Sequence, residues 1–373
     1  MLSIIKGPYL QWPTPTGMKI MWETSGPAST EGRYWQTQRT HNRGYVALPE
    51  TEQQAAGAGD TCIHTLVLEG LEPETCYHYQ VRSASAQGEV VESAVLPLKT
   101  AVRPDTPFSF AVTSESGGYG DDLINRRLFP QIQRHRPDFL LMVGDAVQHG
   151  KRYEDWEQFF FGPAKALLHS TPFYLCLGNH EERASWARDF VAYPEPRNYY
   201  SFDYGNTHFT ALDCTELIEY RDGLPVATAE LQSESAQWRF LAADLARTQA
   251  TWKVVFFHYP PYVSADYQVE QLRVLCPVLE AHGVDLVFNS HTIVYERSHP
   301  LWQDRLDLER GVVYVVAGGA GAKPDWFHAK RAWHTAQAQA VPHFVQVVVA
   351  GPTLELRAID EHGHLFDTLQ LRK

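Results

Sequence analysis

Leu177-Gly178-Asn179-His180-Glu181 follows directly on the apolar run Phe173-Tyr174-Leu175-Cys176. It therefore reads as the loop at a strand's carboxyl end, where ligand sites gather in open α/β sheets. Three consecutive positions offer an amide oxygen, an imidazole and a carboxylate, which amounts to one metal ligand and two groups able to move protons. By itself such a polar tetrapeptide also suits an ordinary turn. Its weight comes from three other apolar runs that end in donors. Phe139-Leu-Leu-Met-Val143 runs into Gly144-Asp145, Trp252-Lys-Val-Val-Phe-Phe257 into His258, and Val284-Asp-Leu-Val-Phe288 into Asn289-Ser290-His291.

Around these runs, strand and helix patterns alternate, which predicts an α/β domain over residues 108–373. Phe108 to Val112 reads as a strand, and Tyr199 to Asp213 as a hairpin. Asp121 to His135, Tyr153 to Leu168, Ser235 to Arg247 and Gln268 to His282 read as helices. Val312 to Val316 leads into Gly318-Gly-Ala-Gly321, and Phe344 to Val349 and Leu354 to Ala358 close the chain as antiparallel strands. Residues 1–100 lack helix patterns and show short strands at Lys19 to Trp22, Thr65 to Leu68 and Tyr77 to Val81. Leu71-Glu-Pro-Glu-Thr-Cys-Tyr77 has the spacing of a tyrosine corner with Trp22 as its core tryptophan, so this part resembles an all-β fibronectin type III sandwich. His41, His64 and His78 lie here and read as solvated or sandwich-surface histidines. Residues 101–107, with Pro104 and Pro107, form the linker.

Composition narrows the partners. A net charge of −12 over 373 residues argues against electrostatic binding to nucleic acid or to an anionic membrane. No apolar stretch reaches membrane-spanning length. Five scattered cysteines without a Cys-x-x-Cys pair indicate neither a disulfide framework nor a thiolate zinc site, and Cys176 and Cys214 read as buried inert thiols. A Cys62–Cys76 bridge is the minority reading. The amino terminus has no signal-peptide pattern, which predicts a cytoplasmic protein, or a secreted one whose signal has been removed. The oligomeric state is left open.

Asp145, Asn179, His258 and His291 together make a set of one carboxylate, one amide oxygen and two imidazoles, suited to Zn²⁺, Fe²⁺ or Mn²⁺. Each alone has a bland explanation as a turn residue or a hydrogen-bonded core histidine. Four strand ends converging on one sheet edge favour the metal.

The blocks Glu115-Ser-Gly117, Gly144-Asp-Ala-Val-Gln148, Gly178-Asn-His-Glu181, Val255-Phe-Phe-His258 and Ser290-His-Thr-Ile293 resemble those of the purple acid phosphatases within the calcineurin-like metallophosphoesterases. In that family they read D-x-G, G-D-x-x-Y, G-N-H-[DE], V-x-x-H and G-H-x-H. The resemblance extends to Tyr200-Ser-Phe202, Tyr295-Glu-Arg297, Gly318-Gly-Ala-Gly321 and the front domain. It implies a central mixed β-sandwich flanked by helices. It also implies hydrolysis of a small phosphorylated substrate by a metal-bound hydroxide, with His180 contacting phosphate and assisting proton transfer and Glu181 orienting His180. In the family a second metal is held by the first-block Asp, the Tyr and the last His, and shares the second-block Asp. Those positions are Glu115, Gln148 and Ile293 here, so the implied cofactor is one divalent transition metal, Fe, Zn or Mn, on Asp145, Asn179, His258 and His291. A second site rebuilt from Glu115, Gln148 or the neighbouring His149 stays open as the alternative. Two other functions stay open as well: a non-hydrolytic metal-binding or interaction protein on this fold, and a mononuclear iron enzyme of other chemistry. The aromatic stretch Lys323 to His334 reads as a surface loop able to wall a pocket.

Overall fold

A computed structural model describes residues 1–40, 44–117, 124–328 and 330–373. In the front domain, Ile4–Thr14, Gly17–Ala28 and Thr61–Glu69 form an antiparallel sheet. It faces a second sheet built around the paired strands Glu31–Thr40 and Cys76–Ala84. Cys76–Ala84 alternates half-buried and buried positions, so Tyr77, Tyr79 and Val81 point into the sandwich core, where Trp22 and Leu66 meet them. The Tyr77 hydroxyl accepts the Glu72 N–H at 2.9 Å, which closes the tyrosine corner. One expectation fails here. His64 is fully buried rather than on the surface, stacked on Trp22 and bonded to Thr24 and Thr30 at 2.8 Å each. Burial lowers its pKa to about 4, so it is a neutral core residue. His41 lies outside the described residues.

The second domain is a mixed β-sandwich. One sheet runs Phe173–Cys176, Phe139–Val143, Phe108–Thr113, His343–Ala350, Thr353–Asp360, Leu365–Arg372; its first three strands are parallel and the rest antiparallel. The other is parallel through Thr207–Ala211, Trp252–Phe256, Leu286–Asn289 and Val313–Ala317, with antiparallel strands on both flanks. Strands covered on both faces read as unbroken apolar runs, as Phe139–Val143 does. Phe110 and Phe139 meet Phe209 edge to face between the sheets, at 5.2 and 5.3 Å. Parallel pairing is what sends the carboxyl ends of Phe139–Val143, Phe173–Cys176, Trp252–Phe256 and Leu286–Asn289 to one edge.

Helix boundaries depart from periodicity where proline intervenes. The helix expected over Tyr153 to Leu168 splits into Tyr153–Asp155, a π-helical Trp156–Phe161 and Gly162–Leu168. Pro163 has no N–H to continue an α ladder, and the Gly162 N–H reaches back to the Glu157 carbonyl instead. Pro277 likewise divides Gln268 to His282 into a 3₁₀ segment, Glu270–Leu275, and a helix, Cys276–Ala281. The helix expected from Ser235 to Arg247 is Ala236–Arg247, with Ser235 as its cap, the Ser235 hydroxyl accepting the Trp238 N–H. Of the helix expected from Asp121, Ile124–Arg134 is observed and 121–123 lie outside the described residues. All five cysteines are free, Cys62 and Cys76 included. Among the described residues no helix is long and apolar enough to cross a membrane.

The front domain is not held by the linker alone. Trp12 packs within about 6 Å of Tyr174, Tyr193, Tyr200 and Phe202. Gln11 donates to the Phe173 carbonyl, Tyr9 to that of Phe190 and Lys19 to that of Ala192. Ala101 and Val102, in the stretch read as a linker, are buried. The front sheet thereby braces Phe173–Cys176, the strand that presents Asn179.

An ion cluster around the buried His208 pins Ala236–Arg247 to the second sheet. His208 lies between Asp203, directly opposite on the paired strand, and Asp244 of the helix, at 2.7 and 2.8 Å. Burial works against its charge, but the two carboxylate hydrogen bonds prevail and raise its pKa to about 9. A histidine raised above its unfolded value of about 6.5 contributes stability that is complete below that value and lost as pH rises through the folded one. The melting temperature of the wild type should therefore fall between pH about 6.5 and about 9 relative to that of His208→Gln. Parallel pH profiles for the two proteins would contradict the assignment.

Candidate metal centre

Two loops meet at the shared edge. Gly144 has φ +85°, and a Cβ on it would stand 2.5 Å from His258 Nδ1; a Cβ on Gly178 would collide with the Asp145 carboxylate. Both blocks thus need glycine for close approach. Glu115, Asp145 and His291 all sit in the left-handed region, at φ 58°, 51° and 67°, a concentration of backbone strain of the kind found at functional sites.

The donors converge. Asp145 Oδ2 lies 3.1 Å from His258 Nε2, and Asn179 Oδ1 also lies 3.1 Å from it. Asp145, His258 and His291 each bring a ligand atom within 4.8 Å of the others. First-row metals with bonds of about 2.0–2.2 Å place neighbouring donors roughly 3–3.5 Å apart, the spacing that Asp145 and Asn179 keep from His258. His258 Nδ1 faces the Val143 carbonyl at 2.9 Å, which makes Nδ1 the N–H and leaves Nε2 as the donor. The pocket already favours a cation. Although burial opposes it, the Asp145 charge raises the His258 pKa to about 9, and His258 in return holds Asp145 well below the usual carboxylate range. His291 is lowered to about 3 by burial and by His258, so it stays neutral and able to ligate.

The positions around the second ion behave differently. Glu115 Oε1 accepts the Ser290 hydroxyl at 2.6 Å and the His291 N–H at 2.8 Å, and lies 3.9 Å from His258 Nε2. Burial and the neighbouring Asp145 charge lift its pKa to about 8. The Gln148 amide nitrogen is 3.3 Å from His180 Nδ1. His149 faces Glu182 at 3.4 Å. Ile293 offers no donor, and its N–H is bonded to Asp325 at 2.8 Å. Asp325 and His328, which pairs with Asp266 at 3.2 Å, fasten the 323–328 loop beside the centre, with Trp326 exposed.

His180 donates its N–H to Asp145 Oδ1 at 2.8 Å, and its Nδ1 faces the Gln148 carbonyl at 2.7 Å, leaving Nε2 for proton transfer. Glu181 does not orient His180. Its fully buried carboxylate accepts the N–H groups of Asp145, Ala146 and Gly178 at 2.9, 2.7 and 2.6 Å. The reason is geometric: in the turn Asn179–Glu181 the glutamate side chain folds back under its own loop. Motif reading also misses Tyr220, whose hydroxyl lies 2.7 Å from His291 Nε2; it belongs to a hairpin outside every block, and no spacing signals it. A cavity of about 690 Å³ opens beside Asn179, bounded by Tyr259, Arg183, Thr215 and Glu216.

The chain belongs to the calcineurin-like phosphoesterases, whose family model matches residues 108–295. Residues 5–100 match the N-terminal domain of purple acid phosphatases. Purple acid phosphatase 15 of Arabidopsis thaliana is 25% identical over 308 residues, which are 69% of this chain and 53% of that protein. Acid phosphatase type 7 of Mus musculus is 24% identical over 350 residues, 82% of this chain and 76% of that protein. The structure of a purple acid phosphatase from yellow lupin seeds shares the fold, with a TM-score of 0.79 at 17% identity over 98% of this chain and 74% of that one. The chain spans about half the length of the Arabidopsis relative. Membership implies divalent metals such as iron, zinc or manganese, consistent with the donor cluster.

Because the Glu181 carboxylate serves three backbone donors, Glu181→Gln should lose at least about 2 kcal/mol of stability. Urea unfolding of the two proteins measures this; an unchanged midpoint would contradict it.

Proposed function

We propose that the chain is a metal-dependent phosphoesterase with a mononuclear centre on Asp145, Asn179, His258 and His291, in a domain spanning 108–373 joined by 101–107 to a front sandwich of 1–100. The observation that carries the reading is the contrast between the two halves of the site. Asp145 and Asn179 oxygens each lie 3.1 Å from His258 Nε2 and His291 brings a ring nitrogen within 4.8 Å of the Asp145 and His258 donors, while the Glu115 carboxylate is bonded to Ser290 and His291 and Ile293 has no donor. A divalent ion held there supplies a Lewis acid for the phosphoryl group and lowers the pKa of a water, so that hydroxide is available as nucleophile near neutral pH. The chain's own residues do the rest. Gln148 fixes the His180 ring so that Nε2 can deliver a proton to the leaving oxygen. The cavity beside Asn179 receives the alcohol portion of the ester.

Protein purified without chelator should carry one tightly held transition metal per chain by elemental analysis, and release phosphate from aryl esters slowly. His258→Ala should lose both metal and activity. Two metals per chain, or activity that survives loss of the metal, would overturn the reading. The three altered positions also support a non-hydrolytic, metal-binding role; a wild type that holds its ion but releases phosphate from none of a panel of mono- and diesters would establish that role.

Restoring the family's donors tests the geometry. Glu115→Asp, Gln148→Tyr and Ile293→His together should raise the metal content to two per chain and increase aryl phosphate hydrolysis at least about tenfold, the two-ion clamp stabilising both attacking and leaving oxygens. A folded triple variant with one metal and no gain in hydrolysis would show that the pocket has diverged beyond its ligands.

A further inference from the structure

Tyr220 lies on a hairpin, Ile218–Arg221 paired with Leu224–Ala227, that belongs to neither main sheet. The hairpin is fastened at its base. Gln271 donates to the Pro225 carbonyl at 2.7 Å, and Thr228 bonds the carbonyls of Leu217 and Glu216. Its one reach toward the centre is the Tyr220 hydroxyl on His291 Nε2, at 2.7 Å. The Tyr220 ring stands edge-on to Tyr259, which in turn packs on the His291 ring with centroids 4.7 Å apart.

A ligating imidazole uses one ring nitrogen for the ion and donates the other N–H to a partner that fixes tautomer and ring angle. His258 shows the pattern, with Nδ1–H on the Val143 carbonyl. Among the described residues no carbonyl bonds the His291 ring. The His291 backbone N–H is held by Glu115, and among the described residues the Tyr220 hydroxyl is the hydrogen-bond partner of its ring. We infer that Tyr220 is a positioning residue for the metal: its oxygen accepts the His291 Nε2–H, so that Nδ1 presents its lone pair to the ion. Tyr220 and Glu115 then hold His291 from two sides, ring and backbone. The hairpin would couple metal affinity to a segment outside the phosphoesterase blocks.

The inference rests on the metal-binding reading above, and the test separates the two. Zinc affinity of the full chain is measured by competition with a chromophoric chelator, alongside the visible spectrum of the cobalt-substituted protein, for wild type, Tyr220→Phe and Tyr267→Phe. Tyr267 is the control because its ring also packs on His291, at 5.4 Å, without a hydrogen bond to it. Loss of an outer partner of a ligand lowers metal affinity by about 10- to 100-fold. Tyr220→Phe should show that loss and an altered cobalt spectrum with an unchanged melting temperature of the metal-free protein, while Tyr267→Phe matches wild type. Wild-type zinc affinity and spectrum in Tyr220→Phe would overturn the inference and leave the metal centre standing, as would an equal loss in Tyr267→Phe, which would assign the effect to loss of any hydroxyl near the pocket rather than to the Tyr220–His291 hydrogen bond. A wild type that binds no zinc would overturn both.

Discussion

The centre depends on one buried carboxylate that touches no ligand atom. Glu181 collects the N–H groups of Asp145, Ala146 and Gly178 and so ties the ends of two neighbouring strands into a single rigid corner. Parallel strands deliver their carboxyl ends to the same edge, but pairing alone leaves the connecting loops free. Three backbone donors on one charged acceptor remove that freedom. The His180 N–H on Asp145 Oδ1 and the Gly150 N–H on the His180 carbonyl continue the same lattice. A site that must hold donors to within about half an ångström needs this kind of support behind it.

Charge explains why the corner is tuned for a cation. Asp145, Glu115 and Glu181 lie in one buried volume, so their mutual repulsion has to be relieved by protons or by a metal. Without an ion, His258 carries the compensating positive charge between Asp145 and Asn179. A divalent ion held by Asp145 and His258 would take the place of that proton in the same field. The altered second half of the site has not become empty space. Glu115 holds the His291 backbone, the Ile293 N–H anchors Asp325, and the 323–328 loop closes down beside Asp266. Glu115 and the Ile293 backbone thus act as braces for the neighbouring side chains.

The front sandwich contributes at a distance. Trp12 and Gln11 bear on the strand that leads to Asn179, so the sandwich packs into the core behind the centre. The stretch read as a linker is partly core for that reason; proline signals an irregular backbone, and irregular backbone can still be buried.

The class of fold was legible in the sequence by itself, because four- to six-residue apolar runs alternating with helix patterns read as strands covered on both faces, and the candidate donors were legible too, because each run ends in one. The tyrosine corner was legible as well, since it depends on residues a few positions apart. Tertiary structure decided whatever depends on distance along the chain. His64 looked like a surface residue and proved a core one, since Thr24 and Thr30, 40 and 34 residues away, satisfy its nitrogens. Glu181 took backbone donors 35 and 36 residues away in place of its neighbour His180. Tyr220 reached His291 across 71 residues, with no motif to announce it. Periodicity and spacing encode local geometry; a hydrogen bond between segments far apart in the chain exists only once the sheets have brought them together.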